Sequence, residues 1–228
     1  MVKTTERNDL TGKTMKHLYF IRHGRQNSGL CNVDVPLSEE GHRQASLLGE
    51  RLSHMDIDAI YTSDLIRAEE TAKEIDRWLH LDYHVDSRLR EIDFGDMTGH
   101  SDADNQVNFG FFLEKNQKMQ WDLPYPGGEC YSDVYQRGMP AIWQMIARED
   151  ERILIVTHGG FIRAMLMGML GADFARCRMF GKDMENCSIT EILYDEEKNR
   201  FYIERFNDYA HLENRPELLR KSWKKEEA

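Results

Sequence analysis

The chain has 228 residues, 40% of them hydrophobic, with 40 acidic against 30 basic side chains and a net charge of −10. That length suits one large α/β domain, and the apolar share excludes wholesale disorder. The acidic balance excludes a general nucleic-acid surface, which needs a basic stripe to release counterions.

Residues 1–15 are polar and read as a flexible leader without a signal-peptide pattern. The apolar run Leu18-Tyr19-Phe20-Ile21 predicts a first strand that stops at Arg22-His23-Gly24. Ser38 caps a helix over about Glu39–His54, with two glutamates in its first turn and Ala45, Leu48 and Leu52 on one stripe. Ala59-Ile60-Tyr61 is a second short strand. The helix after it carries Leu65, Ala68, Ala72, Ile75 and Leu79 at helical spacing. Tyr83 to Val85 forms a brief third strand. His80 and His84 straddle the helix end and this strand, so their spacing of four predicts no metal pair.

Residues 99–128 lack a clear period and read as an inserted lid segment with some helix. Its aromatic residues Phe109, Phe111, Phe112, Trp121 and Tyr125 either pack the segment to the body or line a pocket. Ser132 to Ala147 predicts a helix that Pro140 should kink or break. Ile153 to Val156 is a further strand, ending in Thr157-His158-Gly159, and a helix follows from about Phe161. Ser188–Tyr194 and Phe201–Phe206 are two closing strands, and residues 215–228 read as a charged tail. Alternating strands and helices predict a three-layer α/β/α sandwich over residues 16–214 with a mostly parallel central sheet.

No stretch is long and apolar enough to span a bilayer, since Phe161–Leu170 is short and broken by Arg163. Four scattered cysteines, Cys31, Cys130, Cys177 and Cys187, offer neither metal-ligand spacing nor a disulfide framework. Reduced thiols and a cytoplasmic protein are expected. No pattern bears on oligomeric state.

The chemistry collects where strands end. Two strands finish in His-Gly, at His23-Gly24 and His158-Gly159, and open α/β sheets bind ligands beyond the carboxyl ends of their strands. Arg22 flanks the first histidine, and Arg67 falls in the opening turn of its helix. Arginines present planar donor forks that match phosphoryl oxygens. A neutral histidine between them can act as a nucleophile on phosphorus. Glu91, in Leu89-Arg90-Glu91-Ile92-Asp93-Phe94-Gly95, is a candidate proton donor to a leaving alkoxide.

Arg22-His23-Gly24, Arg67-Ala68 with Thr71-Ala72, Leu89-Arg90-Glu91 with Phe94-Gly95, and His158-Gly159 with Arg163 resemble the histidine phosphatase (phosphoglycerate-mutase-like) superfamily. Pro126-Gly127-Gly128-Glu129 and Asn207-Asp208 through His211-Leu212 are similar to its phosphatase branch, so the resemblance spans about Leu18 to Leu212. It implies a metal-independent, cofactor-free phosphomonoesterase acting on a small phosphorylated metabolite. His23 would become phosphohistidine, with Arg22, Arg67 and His158 on the equatorial oxygens and Glu91 as acid and base. Gly24, Arg25, Asn27 and Gly159 would complete the substrate site. The chain departs from the family at Arg25 and Gln26, where Glu or Gln and then Thr or Ser are usual, and at Cys130 in place of Ser. Arg25 either favours a doubly charged substrate or faces a surface carboxylate. Asn27 either donates to the phosphoryl group or closes the loop. Phosphoglycerate mutase-type transfer and a non-catalytic phospho-ligand-binding protein are the competing readings.

Overall fold

A computed structural model describes residues 15–223, without the Trp223 side chain. Its strands are β1 (Met15–Arg22), β2 (Ala59–Thr62), β3 (His84–Val85), β4 (Arg152–Thr157), β5 (Ile189–Asp195) and β6 (Arg200–Asp208). They form one sheet in the order β3-β2-β4-β1-β5-β6. The pairs β1–β4, β2–β4 and β2–β3 are parallel, whereas β5 runs antiparallel to both β1 and β6. The principal helices are α1 (Glu39–Leu52), α2 (Ile66–Leu79), α3 (Asp102–Gln117), α4 (Tyr131–Ile146) and α5 (Gly159–Met169).

Alternation along β1 sets the layers. Tyr19 and Ile21 face α1 and α2, where they meet Ala45, Leu48, Ala72 and Ile75. Leu18 and Phe20 face the other way, into a core with Ile142 of α4 and Phe161 of α5. All four strand residues are buried, as a strand covered on both faces requires. This is the α/β arrangement with a mostly parallel sheet that the sequence predicts.

Three details differ from expectation. The expected leader lies outside the described residues except for Met15, which opens β1 opposite Asp195 of β5. Helix α4 runs unbroken through Pro140, which sits on the exposed side, so the carbonyl that loses its amide partner there can bond water. Residues 216–222, read as part of a charged tail, instead lie on the body. Leu218 and Leu219 are buried beside Leu212, because two leucines among many charges still find an apolar seat.

The segment after Gly99 holds α3, which changes direction at Phe109. Phe109 and Phe112 pack on the core, and the Tyr125 ring sits tilted at 4.6 Å from Phe94 and 5.3 Å from Phe112, centroid to centroid. Phe111 and Trp121 are exposed.

Candidate active site

Register brings the site together. In the sheet Arg22 stands opposite Thr157 and Thr62 opposite Val156, so three adjacent parallel strands end on one edge. The chain leaves that edge at His23, Ser63 and His158.

His23 is held by its backbone. Its N–H donates to Thr157 O at 2.9 Å, and its carbonyl accepts from Asn186 Nδ2 at 2.7 Å. Nδ1 lies 2.7 Å from Gly24 O. A carbonyl only accepts, so this contact assigns the proton to Nδ1 and leaves the lone pair on Nε2. Arg67 Nε donates to that nitrogen at 3.3 Å. Burial, followed by the Arg67 and Arg22 charges, holds the imidazole well below its ordinary value. The ring is therefore neutral at physiological pH. Gly24 is required because a Cβ there would lie 2.7 Å from Gly41 O.

Arg67 is 1% exposed and also donates to Val33 O at 3.0 Å and Asn32 Oδ1 at 2.8 Å. Arg22 donates from Nη1 to Met184 O, while its buried Nε has no hydrogen bond among the described residues. Burial first, and the Arg220 charge second, push its guanidinium down to about 9. His158 is fully buried, 5.1 Å ring to ring from His23, with Nε2 at 2.9 Å from Ser63 Oγ. Its Nδ1 is likewise without a hydrogen bond among the described residues. Burial and then Arg67 keep this imidazole well below its ordinary value too.

Glu91 accepts from three backbone amides: Ile92 at 2.9 Å, Phe161 at 3.1 Å and Gly160 at 3.2 Å. The last two belong to the first turn of α5. A Cβ on Gly160 would stand 2.4 Å from Glu91 Oε1, so only glycine admits the carboxylate this close. The loop carrying Glu91 is braced by Arg137, which donates to Arg88 O at 2.8 Å and Glu91 O at 3.3 Å. Arg137 is itself paired twice at 2.9 Å with Glu129, which also accepts the Asp93 N–H at 3.0 Å.

A cavity of about 510 Å³ opens above these groups. Of the predicted residues Arg22, Glu91 and Gly159 line it; His23, Arg67 and His158 lie outside its lining. The Arg67 Nε–H occupies the lone pair of His23 Nε2 in this structure. Arg163, Arg178, Lys182 and Arg220 also line the cavity and were absent from the predicted site, and so was Ser63. Ser63 was findable, since it follows β2 as His158 follows β4. Arg178, Lys182 and Arg220 sit in irregular or short segments that carry no such signal. Arg25 and Asn27 do not line the cavity. The Arg25 guanidinium stands 3.8 Å from the Glu40 carboxylate, and the Asn27 backbone N–H closes the loop onto Pro36 O at 2.9 Å. Tyr125 both packs and lines the cavity.

Among the described residues no group of three or more His, Cys, Asp or Glu is placed to hold a metal ion. His80 ends α2 in a left-handed turn (φ 54°) and His84 opens β3. No described helix is long and apolar enough to cross a membrane.

A mostly parallel α/β sheet with histidines on two adjacent strand ends and arginines beside them defines a class. Residues 18–209 match the histidine phosphatase superfamily (branch 1), and the chain belongs to that superfamily. It is 33% identical over 167 residues to a 2,3-bisphosphoglycerate-dependent phosphoglycerate mutase of Brucella melitensis, covering 68% of this chain and 81% of that protein. Its fold matches mycobacterial glucosyl-3-phosphoglycerate phosphatase in complex with inorganic phosphate at a TM-score of 0.76 and 30% identity, over 86% of this chain and 99% of the other. A Bacillus stearothermophilus protein matches at 0.76 and 29% identity, over 87% and 100% of the two chains.

Proposed function

We propose that this protein is a phosphomonoesterase that hydrolyses a small phosphorylated metabolite through a phosphohistidine. His23 Nε2 attacks phosphorus as the bond to the leaving alkoxide breaks, and Glu91 delivers a proton to that oxygen. Water then attacks the phosphohistidine, Glu91 takes its proton, and the N–P bond breaks to release phosphate. Arg22, Arg67 and His158 bind the equatorial oxygens, where donors fixed in place help most as charge spreads. No metal or cofactor enters this scheme.

The observation that carries this reading is the state of His23: neutral, protonated on Nδ1, with Nε2 facing Arg67. Beside it, Arg22 Nε and His158 Nδ1 are buried without hydrogen bonds among the described residues. Each unpaired group costs about 1–3 kcal/mol. An anion would relieve that cost. Arg25 stands with Glu40, so we place substrate selectivity on the cavity's own cations rather than on Arg25. All four cysteines are free thiols, which supports the cytoplasm as the compartment.

The Brucella relative favours a second reading, phosphoryl transfer of the mutase type. Against it stands the short segment after Glu91, pinned by Asp96 N–H on Pro126 O at 2.8 Å and Glu129 N–H on Asp93 O at 2.9 Å. The test is phosphate release from p-nitrophenyl phosphate in EDTA. Wild type should turn over, and His23→Ala should lose activity at least about a thousandfold, as removal of a covalent nucleophile does. Unimpaired release by His23→Ala would overturn the mechanism. Isomerisation of 3-phosphoglycerate outpacing phosphate release would establish the mutase reading instead.

A further inference from the structure

Gln44 ties together two distant parts of the chain. The side chain is fully buried; its Oε1 accepts the Arg25 N–H at 2.8 Å and its Nε2 donates to Leu218 O at 2.7 Å. One amide thus links the loop after His23 to the segment at 216–222, which Leu218 and Leu219 already anchor in an apolar seat.

Arg220 follows that anchor and is fixed from two directions. Its backbone N–H donates to Glu185 Oε1 at 3.0 Å. Its Nη1 donates to Asn186 Oδ1 at 3.3 Å, and Asn186 Nδ2 in turn holds the His23 carbonyl. The side chain lines the same cavity as Arg22, Glu91 and Gly159. Its charge acts on both Arg22 and His23, pushing each down. The Glu91 side chain, which lines the same cavity, accepts from three backbone amides. Arg22 and Arg220, both beside the Glu185 carboxylate, thus bring two guanidinium groups to one cavity, an arrangement that a bound anion stabilises.

We propose that Arg220 is a substrate-binding residue of the phosphoryl site, carried into it by the C-terminal segment. The Leu218–Leu219 anchor and Gln44 set the position of its guanidinium, which donates to anionic oxygens of the phosphorylated ligand alongside Arg22. The proposal rests on the phosphomonoesterase reading for its effect on turnover, but anion binding can be measured without turnover.

Calorimetric titration with inorganic phosphate is the test, applied to the whole protein and its variants. Arg220→Gln should weaken phosphate binding about tenfold, close to 1.4 kcal/mol, with a matching rise in KM for p-nitrophenyl phosphate. Arg220→Lys, which restores the charge, should recover most of the affinity, and Lys221→Gln should bind as wild type does. A chain ending at Leu219 keeps the leucine anchor and should show the same loss, so the test survives if Arg220→Gln folds poorly. Phosphate affinity in the Arg220→Gln protein or the Leu219 truncation within about twofold of wild type overturns the proposal, since twofold is far below one charge-assisted hydrogen bond. Loss of turnover in His23→Ala bears on the catalytic reading alone, because phosphate binding is measured separately.

Discussion

Gly160 decides where the carboxylate of Glu91 can rest. Adding a Cβ there puts carbon 2.4 Å from Glu91 Oε1 and 2.8 Å from Ile92 Cγ2, so the carboxylate must swing away from the α5 amides. The flexible end of one side chain yields more easily than packed backbone. Gly160→Ala should therefore keep most of its thermal stability while kcat falls about ten- to a hundredfold, part of the usual contribution of general acid–base catalysis. Steady-state kinetics beside a thermal melt checks this; an unchanged kcat would remove Glu91 from the proton step. Legibility at this scale was uneven. Arg22, His23, Arg67 and His158 each lie at a strand end or a helix start, and sequence exposes such places, whereas Glu91 sits in an irregular loop and was read from its motif. The Nδ1 tautomer of His23 depends on the Gly24 carbonyl, and no spacing rule reports the direction of a carbonyl.

Helices α4 and α5 pack through glycine. A Cβ on Gly138 would meet the fully buried Phe161 ring at 2.5 Å and Met165 Cε at 3.0 Å. Both neighbours are fully buried in the core, so Gly138→Ala should destabilise the fold by about 1–3 kcal/mol, the common cost of overpacking. Denaturant or thermal unfolding measures it, and a neutral result would mean that α4 slides freely on α5. The site feels this contact because Phe161 also supplies an amide to Glu91. At the same scale, strands and helices were legible from period and capping: Ser38 caps α1 at Gly41 N as predicted. Pro140 was misleading because a proline's effect depends on which side of the helix faces water. The brace of Arg137 and Glu129 was invisible because it joins positions on separate elements.

Charge on the whole molecule is distributed against its sum. The chain is acidic overall, yet its cavity is lined by Arg22, Arg163, Arg178, Lys182 and Arg220. Such a local field draws anions into a protein that otherwise repels them. The buried histidines set the molecule's response to acid. Burial leads in pushing His23 and His158 well below 6.5, and pushes His211 down to about 4. The unfolded chain takes up protons near pH 6.5 that the folded protein refuses. Stability is thus fully present above pH 6.5 and falls as pH drops from there toward 4. Each such histidine contributes a slope of about 1.4 kcal/mol per pH unit within the window. Unfolding midpoints measured between pH 7 and pH 4.5 should fall steadily, and a midpoint that stays flat would show that these imidazoles are protonated in the folded state.

The sequence by itself determined the order of strands and helices, the two buried faces of β1 and the strand-end histidines. These follow from periodicity and chain breaks within a dozen neighbouring residues. Only the tertiary structure decided that residues 216–222 belong to the body and that Arg220 reaches the cavity. It also decided that Arg25 turns to Glu40. Those outcomes rest on contacts between residues far apart in the chain, such as Gln44 with Leu218, which local patterning does not encode.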